Sequence, residues 1–224
     1  MQTKDRKIAG VDDAGRGAIL GPLVIAGVYV KEDKLEHLIN IGVRDSKLLS
    51  PNRRADLYHQ IMSIADGVSI VKLKPEQIDD YVLKGKKYKR LNYLEALSMA
   101  KVIDSLDAGM VYVDASDVNV ERFKQDILET LKRKVEIISA HHADRIYPIV
   151  SAASIIAKVT RDKEIFDLSQ KFGNIGSGYP ADDVTTRFLR QWIKKHGDMP
   201  PFARRSWKTV KRLLNSKLDE NITD

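Results

Sequence analysis

The sequence predicts an α/β fold in which a five-stranded sheet is flanked by helices and followed by a helical C-terminal region. Up to residue 138, short runs rich in Val and Ile and bounded by Gly or Pro alternate with segments typical of helices. From Pro148 onward only helical patterns remain. The 224 residues, of which 43% are hydrophobic, favour a single domain over residues 1–224.

Five apolar runs predict the strands of the sheet. They cover residues 7–11, 23–30, 68–73, 110–113 and 135–138. β-Branched residues dominate these runs, and such residues favour extended structure. The first two runs are close together in the chain, so we expect their strands to pair with each other.

Helices are predicted between the strands and throughout the C-terminal part. The first covers residues 51–65, with Pro51 in its first turn and Ser50 as its cap. Residues 91–106 and 120–131 also have helical patterns. After Pro148, the run IVSAASIIAKV is too long for a strand and is typical of a buried helix. The last helices are expected at residues 185–196 and 204–215.

The composition limits the kinds of partner and metal site. A formal net charge of +7 and a pI of about 9.4 suit a polyanionic partner without identifying one. Cysteine is absent, which excludes disulfides and thiolate metal sites and leaves oxygen or imidazole as metal ligands. Residues 18–30 are apolar but are interrupted by Gly21, Pro22 and Gly27, and they lack a cleavable signal layout. We therefore expect a cytoplasmic protein with no membrane partner.

Aspartates stand at three element boundaries. Asp12 and Asp13 come directly after the first predicted strand, Asp114 ends the run MVYVD, and Asp144 follows the fifth strand. The carboxyl ends of strands are where α/β sheets place their sites. Taken singly, each aspartate is explained as a turn former or helix cap. Together in a basic, cysteine-free chain, they suit Mg²⁺ or Mn²⁺ bound through oxygen.

Several segments resemble the type 2 ribonuclease H (ribonuclease HII) family. GVDDAGRGAILGPLVIAG is similar to the family's N-terminal D-E-A-G-R-G signature, and VRDSKLL is similar to its D-S-K-x-L segment. VYVDASDV and HADRIYPIVSAASIIAKVTRD resemble the blocks of its third and fourth carboxylates, and IGSGYPADDVT resembles its G-S-G-Y-P loop. The matches keep the family's order from Lys7 to about Trp207 and are closest to archaeal members.

The resemblance implies a fold, an activity and a set of site residues. The fold would be a ribonuclease-H-like mixed five-stranded sheet. The activity would be hydrolysis of the RNA strand of RNA–DNA hybrids, and cleavage 5′ of single ribonucleotides in duplex DNA, by a monomeric two-metal-ion endoribonuclease using Mg²⁺ or Mn²⁺. Implied metal ligands and catalytic residues are Asp12, Asp13, Asp114 (rather than Asp117) and Asp144; implied substrate-binding residues are Gly15, Arg16, Gly17, Lys47 and Tyr179.

One position departs from the family pattern. Asp13 stands where the family has Glu, which draws the carboxylate one methylene closer to its own backbone. Two other function classes stay open, and only the first of them follows from this departure. One is a hybrid-binding protein whose metal chemistry is impaired, and the other is a ribonuclease-H-like nuclease that acts on DNA junctions.

Basic residues outside these motifs also suggest contact with nucleic acid. Residues 84–90 carry five cations, which fit a backbone-contact loop and a solvated polar loop equally well. Residues 184–217 carry ten Lys or Arg against one acid, Asp198, and are expected to form a basic helical lobe. His141 and His142 are assigned no catalytic role. The tail LLNSKLDENITD lacks a sliding-clamp motif, so no tail-mediated clamp contact is expected.

Overall fold

The Val- and Ile-rich runs form a five-stranded sheet within residues 6–43, 49–84 and 90–220, which the computed structural model describes. The strands are β1 (Lys7–Ala14), β2 (Leu23–Lys31), β3 (Gly67–Leu73), β4 (Met110–Asp114) and β5 (Glu136–Ala140). Their order is β3-β2-β1-β4-β5. β1 pairs antiparallel with β2 and parallel with β4, and β4 pairs parallel with β5. The prediction of a mixed five-stranded sheet is confirmed.

Helices account for most of the remaining described residues. They are α1 (Leu35–Asn40), α2 (Pro51–Ile64), α3 (Pro75–Lys84), α4 (Arg90–Asp104), α5 (Val120–Leu128), α6 (Ala143–Ile146), α7 (Pro148–Phe172), α8 (Asp183–His196) and α9 (Lys208–Glu220), with a 3₁₀ turn at Glu32–Lys34. The sequence patterns did not predict α1, α3 and α6. The last helix begins at Lys208 rather than at residue 204. Residues 204–207 form a turn instead, in which the backbone N–H of Trp207 donates to Arg204 O.

The end of β1 differs from the prediction. The strand does not stop at Val11 but continues to Ala14, with Asp12 opposite Ala26 and Asp13 opposite Ile25 on β2. Asp12 and Asp13 are therefore strand residues rather than turn residues.

The chain divides into two units. The first comprises residues 1–14, 24–71 and 91–159, and it contains nearly all of the sheet. Its core includes Val24, Leu57, Ile149 and Ile156, all almost fully buried. Gly10 allows the start of α7 to approach β1 closely, because a Cβ there would lie 2.3 Å from Ile149 O.

The second unit comprises residues 15–23, 72–90 and 160–224. Its core is formed by Ile19, Leu20, Leu189, Phe202 and Val210. It is more extensive than the basic lobe predicted at residues 184–217, and the single-domain description of the chain stays a prediction. Among the described residues, no helix combines the length and apolar character required to cross a membrane.

Candidate active site

Asp12 is buried at the carboxyl end of β1, in the first unit. The residue is 5% exposed, and its Oδ1 accepts a hydrogen bond from the backbone N–H of Asp13 at 2.7 Å. Ser154 on α7 forms a further side-chain hydrogen bond with this carboxylate. Two neighbours from different elements therefore orient Asp12.

Asp114 ends β4 beside Asp12. The parallel register pairs Val11 with Val113, so the next residues, Asp12 and Asp114, reach the same edge of the sheet. Burial raises the pKa of Asp12 well above its usual range, and the charges of Asp13 and Asp114 raise it further. Hydrogen bonds from Ser154 and from the backbone of Asp13 act in the opposite direction. Three of the four predicted carboxylates thus interact electrostatically.

The turn that follows β5 leads into α6, which carries Asp144 and begins beside Asp114. Asp144 is 2% exposed. The preceding residue, Ala143, donates its backbone N–H to Asp114 Oδ1 at 2.8 Å. His142 makes this turn in the left-handed conformation, with φ 55°, which is uncommon for a residue other than Gly. The fourth carboxylate is therefore adjacent in the chain to the group that holds the third.

Two serines near these carboxylates were missed by the sequence analysis. Ser154 contacts Asp12, and Ser116 Oγ donates to Asp13 Oδ2 at 3.1 Å. Ser154 could have been noticed as a polar residue within a long apolar run. Ser116 carries no comparable signal.

Asp117 has a structural role that differs from the role predicted for Asp114. It is 1% exposed and forms an ion pair with Arg122. Its oxygens also accept from Asn92 Nδ2 and from the backbone N–H of Asn119, each at 2.8 Å. Asp117 therefore stabilises the connection between β4 and α5, which supports the choice of Asp114 as the ligand.

The acidic edge fits a divalent cation that prefers oxygen ligands. A buried carboxylate beside two others is repelled by them, and a divalent cation would relieve that repulsion. Within residues 6–43, 49–84 and 90–220, however, no three acidic or His side chains are already arranged as a complete metal-binding group. The chain supplies suitable donors at one edge of the sheet without a closed coordination shell.

In the second unit, the loop formed by Gly15, Arg16 and Gly17 (the 15–17 loop) depends on its glycines. Gly15 has φ 90°, and a Cβ there would lie 2.6 Å from Arg161 Nε. Only Gly adopts this conformation without strain. Gly17 is exposed with nothing within 4 Å of where a Cβ would be, so its backbone is open to close approach.

The predicted residue Tyr179 lies in a second loop of the same unit, Ser177 to Tyr179 (the 177–179 loop). The residue is 37% exposed, and the Arg161 guanidinium lies 4.5 Å from the centroid of its ring. Arg161 Nη2 donates to Ser177 O at 2.7 Å. Burial lowers the pKa of Arg161, while Tyr179 and Asp162 oppose that change. Tyr179 thus presents an aromatic face that is supported from one side.

Asp182 joins the 177–179 loop to α8. Its Oδ2 accepts from Ser177 N at 2.6 Å, and its Oδ1 caps the helix through Val184 N at 2.9 Å. These bonds, that of Ser177 first, lower the pKa of Asp182 to about 2. The charged carboxylate therefore stabilises the loop and the start of the helix together.

Replacing Asp182 with Ala should lower the free energy of unfolding by about 1 kcal/mol at neutral pH, the usual value of a helix cap. Because the pKa is depressed in the folded state, this contribution is present above the ordinary aspartate pKa of 3.8 and is lost as the pH falls toward about 2. Denaturant unfolding of both proteins across this range is the measurement. Asp183→Ala, an exposed change in the same turn, is the control, and an equal loss there would contradict the assignment.

Other predicted features are described only in part. Lys47 and residues 85–89 lie outside the described residues, so their contacts stay predictions. His141 and His142 are both exposed. In the basic lobe, Arg187, Arg190 and Lys194 are exposed at the three- and four-residue spacing of one face of α8.

Comparison with known proteins identifies the family to which this sequence is similar. The model of the family described as Ribonuclease HII matches residues 9–210. Ribonuclease HII of Thermococcus sibiricus is 47% identical over 209 residues, which cover 92% of this chain and 91% of that protein. Ribonuclease HII of Pyrococcus furiosus is 46% identical over 212 residues, covering 94% and 92%.

Solved structures agree with the sequence comparison. The crystal structure of ribonuclease H2 from Pyrococcus horikoshii has a TM-score of 0.86 and 42% identity, covering 94% of this chain and 98% of that one. RNase HII of Archaeoglobus fulgidus, solved as a complex with PCNA, has a TM-score of 0.81 and 39% identity, covering 90% and 95%. Bst-RNase HIII in complex with Mn²⁺, at 22% identity and TM-score 0.78, covering 96% and 71%, shares the fold. The chain, with its predicted ribonuclease-H-like fold confirmed, belongs to the ribonuclease HII family of endoribonucleases.

Proposed function

We propose that Asp12, Asp13, Asp114 and Asp144 bind two divalent cations, Mg²⁺ or Mn²⁺, with which this chain hydrolyses the RNA strand of RNA–DNA hybrids. The observation that carries the proposal is the burial of Asp12 beside Asp13 and Asp114, which raises its pKa. Bound cations would supply the Lewis acidity that activates a water and stabilises the departing 3′ oxygen. The Mn²⁺ bound to Bst-RNase HIII, which shares the fold, is consistent with this metal class.

The surrounding residues orient the carboxylates. The Asp12 carboxylate forms hydrogen bonds with Ser154 and with the backbone N–H of Asp13. Asp114 Oδ1 accepts a hydrogen bond from the backbone N–H of Ala143. These hydrogen bonds fix the orientation of both carboxylates, so their remaining oxygen lone pairs are already in place when a cation binds. Such supporting hydrogen bonds typically contribute about 10–100-fold to metal affinity.

The 15–17 loop and Tyr179 would select the ribonucleotide. Open backbone at Gly17 suits a hydrogen bond to a 2′-OH or a phosphate, since no side chain obstructs it. The half-exposed Tyr179 ring would stack on a sugar, and Lys47 would contact a phosphate. With these contacts the chain would cut on the 5′ side of a single ribonucleotide in duplex DNA and leave 3′-hydroxyl and 5′-phosphate ends.

Three matched duplexes test this function. All-DNA, one-ribonucleotide and long-hybrid duplexes of the same sequence are incubated with the enzyme in Mg²⁺ or Mn²⁺. Cleavage of the two ribonucleotide-containing duplexes and not of the all-DNA duplex is the expected result, because only the 2′-OH distinguishes them. Cleavage of the all-DNA duplex as well would favour the alternative DNA nuclease.

Asp13→Glu tests the alternative of an impaired, hybrid-binding protein. Asp13 is already held by Ser116, so we expect the natural Asp to be active and the longer Glu to change the rate by no more than about tenfold, roughly 1.4 kcal/mol. Initial rates on the one-ribonucleotide duplex in each metal are compared. If the wild type did not cleave the duplex and the Asp13→Glu variant did, Asp at this position would be shown to prevent catalysis.

The predictions about partners stay open. The Archaeoglobus fulgidus relative was solved with PCNA, whereas the tail of this chain lacks a sliding-clamp motif, and residues 221–224 lie outside the described residues. Absence of a tail-mediated clamp contact, a monomeric state and a cytoplasmic location remain predictions.

A further inference from the structure

Arg204 is fully buried in the second unit and holds the backbone around the 15–17 loop. Its Nη1 donates to Arg16 O at 2.9 Å, and its Nε donates to Gly21 O at 3.1 Å. The guanidinium also lies 5.1 Å from the centroid of the Trp207 ring. One side chain from the C-terminal part of the chain thus fixes two carbonyls on either side of Gly17.

Arg161, 4% exposed, contacts both loops of this unit. Its Nη2 donates to Ser177 O, and its guanidinium supports the Tyr179 ring. Its Nε and Cδ occupy the space where a Gly15 Cβ would lie, at 2.6 and 2.7 Å. The position of Arg161 therefore couples the 15–17 loop to the 177–179 loop.

Stability alone does not account for Arg161. Removing a guanidinium from water is costly, and an apolar side chain of similar size is often as stable at such a place. The Nε of Arg161 is buried and makes no hydrogen bond with the described residues. The nearest carboxylate oxygen in an ion pair with Arg161 belongs to exposed Asp162 at 3.7 Å. A charged side chain at this place is explained if Arg161 serves to hold the 15–17 loop and the 177–179 loop in position.

We propose that Arg161 and Arg204 are positioning residues for ribonucleotide selection. They hold the exposed backbone of Gly17 and the face of Tyr179 in one arrangement, without themselves touching the substrate. This inference rests on the proposed role of the two loops in reading the 2′-OH. Neither arginine was singled out in the sequence, where each is one of many cations.

The inference is tested by measuring preference rather than activity. Binding to an all-DNA duplex and to the matched one-ribonucleotide duplex is measured by fluorescence anisotropy in EDTA, which prevents cleavage. The ratio of the two dissociation constants reports selection of the 2′-OH. Wild type should prefer the ribonucleotide, and Arg161→Met and Arg204→Met should each reduce the ratio about tenfold or to unity, because small displacements of binding groups have effects of this order or larger. Affinity for all-DNA should stay within about twofold, since neither buried guanidinium is placed to reach a phosphate.

Conservative variants separate geometry from charge. Lys keeps the charge but lacks the planar fork that spans two carbonyls, so Arg204→Lys should lose the preference as Arg204→Met does. Arg204→Lys, and Arg161→Lys at the other position, also provide the measurement if a Met variant fails to fold. Full preference in folded Lys variants would overturn the inference.

Arg133 provides a matched control in the first unit. Its guanidinium also binds backbone carbonyls, those of Ile103, Leu106 and Ala108. Arg133→Met should lower the melting temperature yet keep the binding ratio. An equal loss of ratio in this variant would show a general structural effect and contradict the positioning role. A wild type without ribonucleotide preference would instead overturn the proposed function, and this inference with it.

Discussion

Replacing Asp114 with Asn should reduce cleavage of the one-ribonucleotide duplex by at least about 10²–10³-fold, the range found when one preorganised electrostatic contact is removed from an active site. The amide is similar in size and can still accept the N–H of Ala143, so the turn before α6 should persist. The lost charge, by contrast, is the one that interacts with Asp12. Initial rates in Mg²⁺ and Mn²⁺, with circular dichroism to verify folding, measure the effect.

Asp117→Asn is the control for this prediction. The two aspartates are three residues apart, but Asp117 pairs with Arg122 and Asn92. We expect this variant to be less stable and still active. Full metal-dependent cleavage by Asp114→Asn, or loss of cleavage only in Asp117→Asn, would refute the assignment of Asp114.

Gly10→Ala should destabilise the protein by about 2 kcal/mol, within the range for overpacking a close contact. The added Cβ would lie 2.3 Å from Ile149 O and 2.5 Å from Val150 N, and backbone atoms cannot rotate away as a side chain can. α7 must therefore shift, and Ser154 on the same helix must shift relative to Asp12. Thermal unfolding should show a decrease of roughly 4–8 °C for a chain of this size, and metal affinity should fall as well.

The matched control is Gly109→Ala. Nothing lies within 4 Å of a Cβ at Gly109, so this change adds the same methyl group without a clash. Its melting temperature should stay close to that of the wild type. Equal destabilisation by both substitutions would mean that the approach of α7 to β1 is not the cause.

The strands were predictable from sequence because each is a short, Val- and Ile-rich run bounded by turn residues. α1 was not, since it is six residues long and has no side-chain cap. α3 begins at Pro75, and Pro is common at the first position of a helix. The helix was not recognised because its first half is mostly acidic and polar. The extension of β1 was missed because two charged residues rarely continue a strand, and pairing with β2 outweighs that preference.

The acidic residues of the candidate site could be proposed from motifs, whereas the residues that hold the site and its neighbouring loops in position could not. Ser154, Arg161 and Arg204 act through partners distant in the chain, such as the bond from Arg204 to Arg16 O, 188 residues away. Local patterns carry no information on such pairs. The sequence could indicate the candidate acidic residues, and the fold was needed to show which side chains hold them in place.

Calorimetric titration of Mn²⁺ into the wild type and single Asn variants of Asp12, Asp114 and Asp144 tests the central claim most directly. The four-carboxylate site predicts binding by the wild type, weakened at least about 10–100-fold in each of these variants and unchanged in Asp117→Asn. Because the pKa of Asp12 is raised without metal, wild-type affinity should increase with pH and binding should release protons. Undiminished Mn²⁺ binding by all three variants would contradict the account.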